Sequence, residues 1–166
     1  MVKIFSIEDR KSTLDYILST AKDCPKIVSL VQVGSGAEGF HDEKSDLDFV
    51  IAYDNNESMT EVMDYMHNKI SENYNLIFYT QSEEKHLQVY VLDNFLEIDI
   101  GFGCYEHAAA LKPAFKVLFD NSGTVEDKMI QSPSPERLPP ARRISSSSRS
   151  APARPLHARS RARAAS

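Results

Sequence analysis

A mixed α/β (α+β) domain around one small sheet is the fold class this sequence predicts, and three observations predict it. Two stretches, near residues 7–22 and 58–72, carry apolar residues at helical spacing. Six shorter runs are rich in β-branched and aromatic residues and are separated by turn residues. The chain has 166 residues, enough for one core and too few for two.

The elements follow in order. Ser6 is placed to cap a helix over 7–22, with Ile7, Leu14, Ile17 and Leu18 as its apolar stripe, and Pro25 stops it. Residues 26–33 form a β-rich run that ends at Gly34, and 46–53 form a second strand. Ser58 or Thr60 opens a helix to about Glu72, with Val62, Met63, Met66 and Ile70 facing inward. Three strands are expected at 75–80, 86–92 and 95–102, with Asn94 turning the chain between the last two. A short extended piece covers 116–119. The run Asp120-Asn121-Ser122-Gly123 then turns, and Thr124 caps a last helix to about Ile130. Tyr79, Tyr90 and Phe102 are expected in the core.

Composition divides the chain. Residues 1–135 hold 23 acids and 11 bases, of which Arg10 is the one arginine; residues 136–166 hold eight arginines and one acid. Arg, Ala, Ser and Pro supply 26 of those last 31 residues, which have almost nothing to bury and are expected to stay outside the fold. The expected division is a folded domain over 1–131 and a tail over 132–166. Coding history, such as a shifted frame, explains the tail's composition more simply than a basic arm for nucleic acid does. The net charge of -5 makes no general case for nucleic-acid binding. No apolar run nears the ~20 residues that span a bilayer, and the first ten residues do not read as a signal peptide. Cys24 and Cys104 lack metal-ligand spacing and read as reduced thiols, so a cytoplasmic, non-membrane setting is expected.

One segment carries chemistry. Gly34-Ser35 ends a hydrophobic strand, ten residues intervene, and Asp46-Leu47-Asp48 leads into Phe49-Val50-Ile51. A glycine lets an anion approach the backbone closely, and the Ser35 hydroxyl can bond phosphate oxygens. Residues two apart on a strand share a face, so Asp46 and Asp48 present adjacent carboxylates. Such carboxylates repel unless a cation lies between them, and Mg²⁺ suits oxygen ligands of this kind. In Leu96-Glu97-Ile98-Asp99-Ile100 the pattern returns, with Glu97 and Asp99 on one face and apolar residues on the other. If this strand lies beside 46–53, four carboxylates converge, an arrangement suited to two metal ions. Neither a Walker A loop nor a dinucleotide fingerprint fits the glycines.

The motif Val33-Gly34-Ser35 with Ser45-Asp46-Leu47-Asp48-Phe49-Val50-Ile51 resembles the signature of the polymerase beta-like nucleotidyltransferases. Leu96-Glu97-Ile98-Asp99 is similar to that superfamily's third-carboxylate strand. Lys116 to Gly123 resembles a segment of the antibiotic, aminoglycoside or lincosamide, members. The resemblance spans about residues 5–130. It implies the polymerase beta-like fold, with a small mixed sheet flanked by helices. It implies that Gly34 and Ser35 hold a triphosphate, that Asp46, Asp48 and Asp99 bind Mg²⁺, two ions in all, and that Glu97 is the base, with the roles of Glu97 and Asp99 exchangeable. The arginine that many members carry between Gly-Ser and the aspartates is absent. Lys44, Lys112 and Lys116 are the substitute candidates, Lys44 first, and His41 in the same loop is a weaker one.

The expected reaction moves a nucleoside monophosphate, AMP from ATP in the leading reading, to a hydroxyl of a small acceptor such as an aminoglycoside or lincosamide. The expected partners are a nucleotide and that acceptor, with a homodimer left open and no specific nucleic acid. Two alternatives stand beside it: an antitoxin-like minimal enzyme that modifies a partner protein, and a truncated remnant that binds nucleotide without activity. The members that modify antibiotics carry a helical C-terminal domain where this chain has its arginine-rich tail.

Overall fold

A computed structural model describes residues 4–40, 44–107 and 114–131. The expected arginine-rich tail, His41 and Lys112 lie outside the described residues.

Helix α1 runs Ile7–Asp23. Ser6 and Asp9 form a reciprocal cap: the Asp9 N–H donates to Ser6 Oγ at 3.1 Å, and the Ser6 N–H donates to Asp9 Oδ2 at 2.9 Å. The expected apolar stripe holds at Leu14, Ile17 and Leu18, which join or pack against the core, and fails at Ile7. Ile7 is 52% exposed, and the buried face is Arg10, Thr13, Ile17, Thr20 and Ala21. A stripe counted by hydropathy alone passes over the threonines and the arginine that make this face.

Strand β1 (Ile27–Val33) leads into a 3₁₀ turn at Gly34–Glu38, and β2 follows at Leu47–Tyr53. Helix α2 spans Met59–Asn73 and buries the four residues expected, Val62, Met63, Met66 and Ile70. Strands β3 (Leu76–Ser82), β4 (Leu87–Leu92), β5 (Glu97–Cys104) and β6 (Phe115–Asp120) precede α3 at Val125–Gln131. Between β4 and β5, Asn94 Oδ1 accepts from the Leu96 N–H, and Phe95 takes the left-handed backbone at φ 65°. The first amide of α3, Val125 N–H, donates to Asp120 Oδ2 at 2.8 Å, so the carboxylate ending β6 serves the helix start that was assigned to Thr124. Burial opposes ionisation of Asp120, but hydrogen bonds from the Ser122 hydroxyl and from the Val125, Ser122 and Gly123 amides hold the Asp120 carboxyl below its usual range.

The six strands form one sheet in the order β3-β4-β5-β2-β1-β6. Only β2 and β5 pair in parallel; the other pairs are antiparallel. Helices α1 and α2 cover one face, where Leu47, Phe49 and Ile51 of β2 meet Ile98 and Ile100 of β5 in a core that includes Ile17 and Met66. Tyr90 is wholly buried and donates to Gln88 Oε1, while Gln88 Nε2 donates to the Met63 carbonyl at 2.8 Å, which ties α2 to the sheet. On the opposite face α3 packs Val125 and Met129 on Val31 and Val33 of β1. Val50 of β2 also packs against this cluster, and among the described residues the neighbouring surface of β2 and β5 lines a cleft. No helix among the described residues is long and apolar enough to cross a membrane.

Candidate functional site

The site begins where β1 runs out. Gly34 has φ 70°, a conformation that a side chain rarely adopts, and its N–H donates to the Ala114 carbonyl at 3.1 Å. The Gly34 amide, expected to face an anion, is therefore engaged with the chain entering β6. The 3₁₀ turn that follows carries Ser35, half-buried, and closes with the Phe40 N–H donating to the Ser35 carbonyl at 3.1 Å. Gly36 is buried and tightly packed: a Cβ there would stand 2.3 Å from Gln32 Nε2 and 2.9 Å from the Phe40 ring. Sequence reading did not single out Gly36, because its requirement comes from Gln32 lying beneath the turn.

The chain returns with Lys44 exposed and Ser45 half-buried. Asp46 is exposed and stands one residue before β2, not on the strand as expected. Asp48 lies within β2, half-buried, opposite Val33 on one side and Asp99 on the other. Adjacent strands lie about 4.8 Å apart, so Asp48 and Asp99 are direct neighbours across the parallel pair. The register Leu47 to Ile98 continues this pairing toward Asp46 and Glu97 at the strand starts. The alternation of half-buried and buried residues along β5 puts Glu97 and Asp99 on the open face, while Ile98 and Ile100 enter the core. The acidic strands thus lie side by side, the condition on which the convergence of carboxylates depended.

That proximity has an electrostatic consequence. Burial pushes the Glu97 carboxyl above its usual range, and the charges of Asp46 and Asp48 push it further in the same direction. The sign follows directly: the ionised form is disfavoured in the fold, so Glu97 lowers stability as pH rises above the ordinary glutamate range. Glu97→Gln is therefore expected to raise the melting temperature at pH 7, and the gain should vanish when the pH falls below ~4, where Glu97 is protonated in both states. Thermal melts of parent and variant at the two pH values check this. A gain that is equal at both would show that the effect is not one of charge.

Beside the carboxylates a cleft of about 650 Å³ opens over β2 and β5. Asp48 and Asp99 line it, with Val50, Gly101 and Gly103 along its floor and Asn56, Lys85, His86 and His107 around it. Gly103 has no atom within 4 Å of where a Cβ would stand, so the backbone there is open to close approach. None of Asn56, Lys85, His86 or His107 was legible as a site residue. They come from three turns, Lys85 and His86 sharing one, and their only signal in the sequence is their position at the ends of strands. Of the residues expected to hold phosphate, Ser35 sits at the carboxylate end of the sheet, and Lys116 is exposed on the edge strand β6. Cys104, Glu106 and His107 form a separate group whose donor atoms lie within 4.8 Å of one another. Its thiol suits softer ions, whereas the all-oxygen donors of Asp46, Asp48 and Asp99 are of the chemistry that fits Mg²⁺.

No curated protein matches the chain. Among solved structures, one titled for Cid1 and its RNA terminal uridylyl transferase activity is 20% identical, with a TM-score of 0.49 over 61% of this chain and 33% of that one. Cid1 poly(U) polymerase with Mg and 3'-dATP gives 20% identity and a TM-score of 0.47 over 61% and 33%. A cytoplasmic RNA terminal U-transferase gives 22% and 0.41 over 61% and 31%. The chain spans about a third of the length of these structures. The sequence matches the nucleotidyltransferase domain over residues 14–103, more than half of the chain, from within α1 to Gly103 near the end of the acidic strand β5. With its mixed six-stranded sheet flanked by helices, the chain belongs to the nucleotidyltransferase domain family and has the polymerase beta-like fold.

Proposed function

We propose that residues 1–131 are the catalytic domain of an Mg²⁺-dependent enzyme that transfers AMP from ATP to a hydroxyl of a small acceptor, of the aminoglycoside or lincosamide kind. The observation that carries this reading is the pairing of Asp48 with Asp99 across parallel strands in the lining of a cleft, with Glu97 on the same face of β5. Asp46, Asp48 and Asp99 would hold Mg²⁺, which when bound supplies positive charge against the triphosphate. Ser35 and Lys44 contact the phosphates, and Gly34 supplies the turn that admits them. Glu97 accepts the proton of the acceptor hydroxyl, a role suited by its raised pKa. The acceptor oxygen bonds to the α-phosphorus as the bond to the β-phosphate oxygen breaks, and pyrophosphate leaves. Most of the acceleration comes from holding the two reactants in line and from matched charge.

The test is pyrophosphate release from ATP, GTP, CTP and UTP with Mg²⁺, across a panel of aminoglycosides, lincosamides, oligonucleotide 3′ ends and co-purifying proteins. Release with ATP that depends on an antibiotic supports the reading. Release that depends only on an oligonucleotide or a protein would replace the acceptor. Tight nucleotide binding with no release across the panel would indicate a nucleotide-binding remnant.

A further inference from the structure

Arg10 is 3% exposed, although it carries a permanent charge. A guanidinium leaves water at a steep cost unless its donors and its planar face are engaged. Both are engaged here. Nη1 donates to the Ser45 carbonyl at 3.0 Å, and the guanidinium carbon lies 3.8 Å from the centroid of the Phe40 ring.

Those two contacts fall on the two limbs of one loop. Phe40 closes the 3₁₀ turn that bears Ser35, by its N–H bond to the Ser35 carbonyl, and holds a left-handed φ of 53° that a phenylalanine rarely adopts unaided. Ser45 immediately precedes Asp46, which stands outside the β2 ladder and so is not placed by strand pairing. One side chain from the second turn of α1 thus grips both ends of the stretch between Ser35 and Asp46. An apolar residue would fill the same space between α1 and the loop without burying a charge, so bulk alone does not account for an arginine. Gln32 beneath Gly36 supports the first limb from the strand side.

We infer that Arg10 is a positioning residue of the nucleotide site: it sets the Ser35 turn and the Asp46 backbone relative to each other, so that phosphate and metal contacts form together. This inference rests on the proposed nucleotide site. Displacement of a site group by about 1 Å can lower activity ~100-fold, which sets the scale of the effect.

The experiment measures affinity for Mn²⁺ with a non-hydrolysable ATP analogue in the full chain, with a thermal melt of each protein. The proteins are the parent, Arg10→Met, Arg10→Lys, Phe40→Leu and, as a site control, Asp48→Asn. Arg10→Met should weaken ternary binding about ten-fold or more per folded molecule. Arg10→Lys should recover part of that loss, since it keeps a donor and a charge without the planar face. Phe40→Leu, which keeps apolar bulk and loses the ring, should weaken binding to a smaller degree, and it carries the test if Arg10→Met does not fold. A purely structural role would lower the melting temperature and leave affinity unchanged. That result in Arg10→Met or Phe40→Leu, with binding lost in Asp48→Asn, would overturn the inference alone. A parent that binds no Mn²⁺ and nucleotide would overturn it together with the site on which it rests.

Discussion

Asp48→Asn is expected to lower the affinity for ATP in the presence of Mg²⁺ on the order of 100-fold while leaving the fold intact. Replacing even an outer-shell partner of a metal ligand commonly weakens binding 10- to 100-fold, and Asp48 is assigned direct contact. The geometry makes this position the most demanding of the four carboxylates. Asp48 is flanked by Val33 and by Asp99, half-buried, and fixed by strand pairing on both sides. Asparagine keeps the shape and removes the charge. Without a cation that charge repels Glu97, and its removal is expected to leave melting without metal unchanged or slightly higher. Calorimetric titration with and without a chelator, beside circular-dichroism melts, measures both effects. Parent-like affinity in Asp48→Asn would show that the nucleotide binds elsewhere.

The largest effect on stability is expected one residue further along. Phe49 is 2% exposed and points into the core beneath the helices, opposite the face that carries Asp48. Its removal loses the transfer energy of a ring and leaves a cavity that the neighbouring elements cannot fully close. Phe49→Ala should therefore lose about 3–5 kcal/mol. Against a typical domain stability of about 5–15 kcal/mol this approaches unfolding, and a fall in melting temperature of roughly 10 °C or more is expected. Denaturant melts check it. A loss below about 1 kcal/mol would mean that α1 and α2 do not pack on β2 as described. Adjacent residues of one strand thus separate the two roles, Asp48 for binding and Phe49 for stability.

Much of this arrangement was legible in the amino-acid sequence, for a simple reason. Strand alternation is a local property, so the buried Ile98 and Ile100 could be told from Glu97 and Asp99 without any knowledge of neighbours. The same holds for Val62, Met63, Met66 and Ile70 at helical spacing. Strand order was not legible in this way: β2 and β5 pair in parallel although β3 and β4 lie between them in the chain, and only the folded sheet brings them together. Nor did hydropathy find Arg10, since a buried arginine contradicts the pattern by which a core is read. Ile7 failed for the opposite reason: it fits the apolar stripe, but it sits in the first turn of α1, where 52% of it remains exposed. Gly101 and Gly103 form part of the cleft floor through what they lack, and a missing side chain gives little signal in a strand.

The central claim is that metal and nucleotide meet at the starts of β2 and β5. Iron-mediated backbone cleavage tests it most directly: Fe²⁺ replaces Mg²⁺ in the presence of a non-hydrolysable ATP analogue, ascorbate and peroxide drive local scission, and the fragments are mapped by mass. Cuts clustered at residues 46–48 and 97–99, dependent on the nucleotide and abolished in Asp48→Asn, are the predicted result. Cuts confined to the vicinity of Cys104, Glu106 and His107, or a pattern unchanged in Asp48→Asn, would contradict it.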